Sequence, residues 1–145
     1  MTRTATPSGV LLDTCAVIWL ANRSKLRQTA LDAIFHAGLN DGVFVSIVAA
    51  WEIGMLHRSK PDGRPSFAPH PKSWFTRFMA GPAIRPAPLT ADIAINATDL
   101  PEPVHGDPAD RLLIATARYL GFPIVTRDRK ITDYAKLGHV AVIPC

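Results

Sequence analysis

The sequence predicts an α/β sandwich, in which helices cover both faces of a parallel sheet. Short, almost wholly apolar runs alternate with longer segments of helical periodicity, and strands that are buried on both faces of a parallel sheet have such runs. Glycine, proline and capping residues separate the segments. The chain has 145 residues, which suits a single domain over 1–145 with a full hydrophobic core.

The N-terminal part begins with a strand, and its elements alternate as this fold requires. In order they are a strand at residues 10–12, helices at 15–21 and 28–37, a strand at 42–45 and a helix at 47–57. Gly38 ends the second helix, because glycine readily adopts the conformation that follows a helix. The last of these helices is apolar nearly all round, which predicts that it is buried.

The C-terminal part begins with a loop at residues 59–73, which contains four prolines, one glycine and several basic residues. The elements that follow are a helix at 71–79, an extended segment at 84–89, helices at 90–98 and 107–120, a strand at 123–126, a helix at 129–135 and a strand at 140–143. Prolines open two of these helices, Thr90 caps another, and Gly121 ends the longest.

The composition excludes several classes of protein. Hydrophobic residues make up 48% and charged residues 19%, as in ordinary globular proteins. There is no apolar run of membrane-spanning length and no signal-peptide layout at the N-terminus, so we expect no membrane association and a cytoplasmic location. The two cysteines, Cys15 and Cys145, form no CxxC motif, which argues against a zinc finger. Cys15 lies in an apolar stretch and is expected to be buried.

Four acidic residues lie at the edge of apolar segments or inside them, where a carboxylate is costly unless it is paired or bound to a cation. They are Asp13, Glu52, Asp110 and Asp128. Asp13 and Asp128 directly follow strands, and ligands of parallel sheets bind at the carboxyl ends of the strands. Pooled carboxylates without soft donors nearby favour Mg²⁺ or Mn²⁺. The remaining surface is strongly basic (net charge +4 overall), which suits a polyanionic substrate, nucleic acid first.

Each acid also has a purely structural interpretation. Asp13 is suited to cap the helix that follows it, and Asp110 is suited to the first turn of its helix, where the dipole favours an acid. Asp128 fits a charged turn. Glu52, inside an apolar helix, would need a salt bridge with Arg or Lys if it were neither a metal ligand nor a general base.

The ordered set of motifs resembles PIN-domain ribonucleases, specifically VapC-type toxins of bacterial toxin–antitoxin pairs. The segments that carry the resemblance are Leu11-Leu12-Asp13-Thr14, Val45-Ser46, Trp51-Glu52-Ile53, Asp107-Pro108-Ala109-Asp110-Arg111-Leu112-Leu113-Ile114-Ala115-Thr116-Ala117 and Val125-Thr126-Arg127-Asp128. The resemblance implies a three-layer α/β/α sandwich with a short, mainly parallel central sheet. It also implies cleavage of RNA that depends on Mg²⁺ or Mn²⁺, a homodimer, and a cognate VapB-type antitoxin that blocks the site.

The same resemblance assigns the acids their roles. Asp13 and Asp110 are expected to bind the principal metal ion, while Glu52 and Asp128 complete its shell directly or through water. Glu52 is also a candidate to accept the proton of the attacking water. Asp107 is interpreted as a helix cap, because Asp110 directly precedes the Arg-Leu-Leu-Ile-Ala segment.

Substrate contacts are expected from other residues. Candidate substrate-binding residues are Arg111, Thr126 and Ser46. Arg111 either contacts the scissile phosphate or only neutralises the site, and Thr126 is a candidate to orient a metal-bound water. Residues 63–91 contain no acid but carry basic and aromatic side chains that suit phosphates and bases. The aromatic residues of this stretch have a second interpretation, as core or as a protein interface.

Three other functions compete with this prediction. A phosphatase of the haloacid dehalogenase type would need a second aspartate two residues after Asp13, where this chain has Cys15. A receiver-like signalling domain would rely on a lysine near Lys130, but it would leave Glu52 unexplained. A non-catalytic PIN-like domain that binds RNA or protein is the main alternative, and the four intact acids argue against it.

Overall fold

A computed structural model describes residues 6–59 and 66–145 as alternating strands and helices. The strands are β1 (Gly9–Leu12), β2 (Gly42–Ser46), β3 (Ile84–Ala87), β4 (Ile124–Thr126) and β5 (Val142–Pro144). The helices are α1 (Thr14–Ala21), α2 (Gln28–Gly38), α3 (Ile47–Ser59), α4 (Pro71–Met79), α5 (Ala91–Thr98), α6 (Pro108–Leu120) and α7 (Arg129–Ala135). The predicted loop at 59–73 lies partly outside the described residues.

The five strands form one sheet in the order β3-β2-β1-β4-β5, and neighbouring strands run parallel throughout. This arrangement confirms the α/β sandwich. The central strand β1 pairs with β2 on one side and β4 on the other, so that Leu12 is level with Val45 and Val125. The carboxyl ends of these three strands therefore lie at one edge, where ligands of such sheets bind.

Alternate residues of β1 point into two separate cores, one on each face of the sheet. Val10 and Leu12 pack with apolar residues of α1, α2 and α3, whereas Leu11 packs with residues of α5, α6 and α7. All three side chains are fully buried. Burial of one leucine contributes roughly 1.5–3 kcal/mol, so this short strand holds the three layers together.

The edge position of β3 explains why this strand accommodates a proline. Pro86 lies inside β3 and is level with Val45 of β2. A proline cannot donate a backbone hydrogen bond, but an edge strand has a neighbour on one side only. The strand therefore continues through Pro86 and ends at Ala87.

The prediction that the helix at 47–57 is buried all round is wrong. Its inner face, with Val48, Ala49 and Ile53, is buried, but Ile47, Trp51 and Met55 are 62%, 60% and 51% exposed. These exposed residues are four positions apart and form one stripe on α3. An apolar helix face is expected to be covered, but the rest of the chain covers only the inner face of α3 in the described residues.

None of the helices in the described parts of the chain is long and apolar enough to span a membrane.

Candidate active site

Asp13 lies at the carboxyl end of the central strand and caps α1. Its Oδ1 accepts a hydrogen bond from the backbone N–H of Ala16 at 2.7 Å, so the capping interpretation is confirmed. Its Oδ2 accepts a hydrogen bond from the hydroxyl of Thr126, at the end of β4. Burial raises the pKa of Asp13 to about 6, although these two hydrogen bonds oppose the rise. The nearby Asp128 and Glu52 carboxylates raise this pKa further.

Glu52 projects from α3 toward the first turn of α1. Its Oε1 accepts a hydrogen bond from the hydroxyl of Thr14, the residue next to Asp13. Among the described residues no Arg or Lys forms an ion pair with Glu52, so the salt-bridge interpretation is wrong there. Burial raises the pKa of Glu52, the Thr14 hydrogen bond lowers it, and Asp110 and other acids raise it again.

Asp110 occupies the first turn of α6, where Asp107 is the cap. Oδ1 of Asp107 accepts a hydrogen bond from the backbone N–H of Asp110 at 3.1 Å, and Pro108 opens the helix, as predicted. Oδ2 of Asp110 is 3.0 Å from Nε2 of His105. Burial raises the pKa of Asp110 against the hydrogen bond from His105, while Asp107 and Asp128 raise it further.

His105 contacts Asp110, and the sequence pattern did not predict this contact. His105 lies in the segment before α6 and is mostly buried. The two residues are five positions apart, which is not the spacing of neighbours on a helix. They meet because the chain turns between His105 and the start of α6. The sequence feature that could have predicted this contact is the position of His105 just before the Asp107-Pro108 helix start.

Asp128 caps α7 and connects the last part of the chain to the other acids. Its Oδ1 accepts a hydrogen bond from the N–H of Ile131 at 3.1 Å, and its own N–H donates to the Thr126 hydroxyl at 2.9 Å. Its charge raises the pKa values of Asp13, Glu52 and Asp110. The four acids thus share one electrostatic environment at the carboxyl edge of the sheet.

The donor set fits a hard divalent cation, although the side chains do not converge on one point. Within residues 6–59 and 66–145, no three His, Cys, Asp or Glu side chains are close enough together to hold a metal ion as they are placed. Three of the four acids have raised pKa values, and no Arg or Lys in these ranges neutralises any of the four. A bound cation would relieve the cost of burying these charges and their mutual repulsion.

The three candidate substrate-binding residues make contacts within the chain. Ser46 is fully buried, and its hydroxyl accepts a hydrogen bond from the N–H of Val48 at 3.0 Å. The Arg111 guanidinium donates to the backbone carbonyls of Ala97, Thr98 and His105 at 2.9, 3.1 and 3.4 Å, so it fastens α6 to the end of α5. Thr126 is fully buried, and its hydroxyl holds Asp13.

Cys15 is exposed at the start of α1, so the expectation that it is buried is wrong. The apolar face of α1 is turned toward the core through Ala16, Val17 and Ile18, which leaves Cys15 on the side of the acids. Partial burial of the thiol raises its pKa to about 11, and Asp13, Glu52 and Asp128 raise it in the same direction.

Comparison with known proteins agrees with this geometry. The chain matches the family model of the PIN domain over residues 10–137, a range that contains all four acids. It is 33% identical over 126 residues to Ribonuclease VapC22 of Mycobacterium tuberculosis, with 86% of this chain and 91% of that protein covered.

Two solved structures share the fold at low sequence identity. One is VapBC2 from Rickettsia felis bound to a DNA fragment from its promoter, with a TM-score of 0.65, 12% identity, and 94% of this chain and 98% of that chain covered. The other is VapC20 of Mycobacterium tuberculosis, described as a Sarcin-Ricin loop cleaving toxin, with a TM-score of 0.59, 17% identity, and coverage of 86% and 94%. The family match, the identity to VapC22 and the four acids at the sheet edge together show that this chain belongs to the PIN-domain family and, within it, to the VapC proteins.

Proposed function

We propose that this protein is a metal-dependent endoribonuclease and the toxin of a toxin–antitoxin pair. The observation that carries the proposal is the buried Asp13 carboxylate, which lies among three other acids in a chain of the VapC type. A buried carboxylate with a raised pKa beside other acids is typical of a functional site. RNA is the expected substrate, and the cytoplasm is the expected place of action.

Asp13 and Asp110 are the proposed ligands of a principal Mg²⁺ or Mn²⁺ ion, with Glu52 and Asp128 completing its shell. A divalent ion supplies charge neutralisation at the phosphate and activates water. The hydroxyls of Thr126 and Thr14 orient Asp13 and Glu52. Oε2 of Glu52 is free of the Thr14 hydrogen bond, and the raised pKa of this side chain suits it to accept a proton from the attacking water.

His105 acts on Asp110 as a positioning residue. Its Nε2 lies 3.0 Å from Oδ2, and only 19% of the His105 side chain is exposed, so the pair is held in place. Partners that orient a ligating carboxylate commonly change metal affinity by 10–100-fold. We therefore include His105 in the site although it is not a proposed ligand.

Two exposed apolar stripes fit the expected protein partners, a second copy of the chain and a VapB-type antitoxin. One stripe is the Ile47, Trp51 and Met55 face of α3, and the other is formed by Leu31 and Phe35 of α2 with Leu39 at its C-terminal cap. Contiguous exposed apolar side chains mark interaction surfaces. Glu52 directly follows Trp51, so a partner on α3 would lie beside the site.

A non-catalytic protein that binds RNA is the second candidate. The observation in its favour is that, in the described residues, the acids do not converge on a single ligand position. The two candidates differ in their response to divalent metal, because a binding protein has no need of it.

The deciding experiment is incubation of total cellular RNA with the purified, antitoxin-free protein in Mg²⁺, in Mn²⁺ and in chelator. Asp13→Asn and Asp110→Asn are tested alongside, and Asp92→Asn, an exposed acid in the first turn of α5, is the matched control. We expect discrete, metal-dependent fragments from the unaltered protein and the control only. A folded protein that neither binds metal nor cleaves RNA would favour the binding candidate.

A further inference from the structure

A cleft of about 680 Å³ opens beside the carboxyl ends of β4 and β5. Positive side chains dominate its lining, and they are Lys25, Arg27, Arg127, Arg129 and Lys136. We call it the basic cleft. The only acid in this lining is Asp133, and its Oδ1 lies 3.2 Å from Nζ of Lys136. The other four cations have no Asp or Glu partner in the lining.

Arg127 is held rigidly in the wall of the basic cleft without loss of its charge. Its guanidinium lies 3.7 Å from the ring centroid of Trp19. It also donates hydrogen bonds to the backbone oxygens of Lys25 and Cys145, at 3.1 and 2.9 Å. Stacking on an aromatic ring and hydrogen bonds to backbone oxygens fix the orientation of an arginine.

The basic cleft adjoins the four acids through Thr126, although none of the four lines it. Thr126 lines the cleft, and its hydroxyl donates to Asp13. Asp128 lies in the chain between Arg127 and Arg129, both of which line the cleft. No arginine or lysine of the cleft forms an ion pair with the four acids in the described residues. Arg127 and Arg129 thus flank Asp128, one of the proposed metal ligands, along the chain.

We propose that the basic cleft binds the sugar–phosphate backbone of the RNA on one side of the cleaved bond. This inference rests on the proposed nuclease function and specifies where its substrate lies. Clustered like charges repel one another, and a chain of phosphates relieves that repulsion. Because phosphate contacts position a strand without reading its bases, the cleft sets affinity and placement rather than sequence preference. It replaces residues 63–91 as the main expected RNA contact.

The test is fluorescence anisotropy of a labelled, random-sequence single-stranded RNA 20-mer with the antitoxin-free protein in EDTA. A double variant, Lys25→Gln with Arg129→Gln, removes two exposed charges of the cleft and leaves the fixed Arg127 intact. The comparison variant, Arg58→Gln with Lys72→Gln, removes two exposed charges from α3 and α4. Thermal unfolding confirms that both variants are folded.

The cleft variant is expected to bind about tenfold more weakly at 0.1 M salt, with a salt slope smaller by about 1.4, since each contact to a single strand contributes about 0.7. The comparison variant is expected to lose roughly twofold or less, because distant exposed charges are screened. Equal losses in both variants would overturn the proposal, and so would an unaltered protein that shows no RNA binding.

Two further outcomes separate this proposal from its alternatives. If the cleft variant binds RNA normally but loses the antitoxin, the cleft is a protein site and the proposal is wrong. The binding assay needs no cleavage, so failure of the nuclease function would appear separately, as an unaltered protein that binds RNA through the cleft and never cuts it in Mg²⁺ or Mn²⁺.

Discussion

The Thr126 hydroxyl donates a hydrogen bond to Oδ2 of Asp13 across 113 positions of the chain. The oxygen of the Thr126 hydroxyl also accepts a hydrogen bond from the backbone N–H of Asp128 at 2.9 Å. One buried hydroxyl therefore joins the end of the central strand to the start of α7 and connects two of the four acids. Its loss is expected to affect both stability and the site.

For Thr126→Val we expect a lower free energy of unfolding, by about 1–3 kcal/mol, because a buried carboxylate and a backbone N–H each lose a partner. Valine has the shape of threonine but no hydroxyl. The pKa of Asp13 should rise above about 6, since the lost hydrogen bond lowers it. Urea unfolding at several pH values measures both effects. Thr126→Ser keeps the hydroxyl and should behave nearly as the unaltered protein; a serine variant as unstable as the valine variant would refute this account.

Asp13→Asn is expected to stabilise the metal-free protein at neutral pH. The pKa of Asp13 is raised from 3.8 to about 6, so the folded state binds the proton more tightly than the unfolded state. The contribution of Asp13 to the unfolding free energy is therefore most favourable below pH 4 and is lost as pH rises from about 4 to 6. Above pH 6 the ionised carboxylate costs up to about 3 kcal/mol, and asparagine avoids this cost while still capping α1.

The measurement is urea unfolding of Asp13→Asn and the unaltered protein from pH 4 to pH 8 in chelator. The difference in unfolding free energy should grow with pH and level off above pH 6. Asp92→Asn, at an exposed position, is the control for the same change from carboxylate to amide. A difference for Asp13→Asn that is constant across this range would contradict the raised pKa.

His105→Ala is expected to weaken Mn²⁺ binding by about tenfold or more, since Asp110 loses the partner that orients it. His105→Gln places an amide N–H near the position of Nε2 and should restore most of the affinity. Titration calorimetry with Mn²⁺ alone gives this result without any RNA. Equal affinity in both variants and the unaltered protein would remove His105 from the site, whatever the effect on stability.

The Cys15 thiol should react unusually slowly for an exposed cysteine. Its pKa of about 11 leaves roughly a hundredth of the thiolate that an ordinary thiol has at pH 8. Peptide mapping after iodoacetamide treatment distinguishes Cys15 from the buried Cys145. Asp13→Asn removes a neighbouring negative charge and should speed the reaction of Cys15. Alkylation as fast as that of a free cysteine would show that the acids do not act on this thiol.

A charged substitution in the apolar stripe of α3 (Ile47, Trp51 and Met55) should show whether a second copy of the chain binds there. Trp51→Asp is expected to weaken self-association of the antitoxin-free protein, because the ring is 60% exposed and lies in an apolar stripe. Sedimentation analysis measures this, with Phe35→Asp on α2 as the comparison. Dissociation by the α2 variant alone would place the dimer interface on the other stripe, and a dimer unaffected by both changes would exclude the two stripes.

The fold was predictable because short buried strands and capped helices leave local signals. The apolar run before Asp13 and the Asp107-Pro108 helix start both identify elements that the structure contains. The order of the strands follows from no local pattern. Asp13 and Asp128 could be assigned to one edge because the carboxyl ends of parallel strands lie at the same edge of a sheet. That assignment requires the direction of the strands but not their order.

The remaining features depend on contacts that sequence spacing does not encode. His105 meets Asp110 through a turn, and Glu52 is satisfied by a threonine from another helix rather than by a base. The outward face of α3 is as apolar as a core face. Hydrophobic periodicity does not distinguish a face that the chain itself covers from a face left to a partner. The position of Arg127 over Trp19 likewise depends on tertiary packing.

The acids of the site also begin helices: Asp13 caps α1, Asp128 caps α7, and Asp110 is in the first turn of α6. Asparagine caps a helix as well as aspartate does. Under the proposed function, a cell under selection to silence the toxin would therefore obtain a folded, inactive protein through Asp13→Asn or Asp128→Asn, whereas alanine would also remove the helix cap. An inactive variant of this kind would still bind the antitoxin. It would thereby leave less antitoxin to inhibit any active copy of the toxin in the same cell.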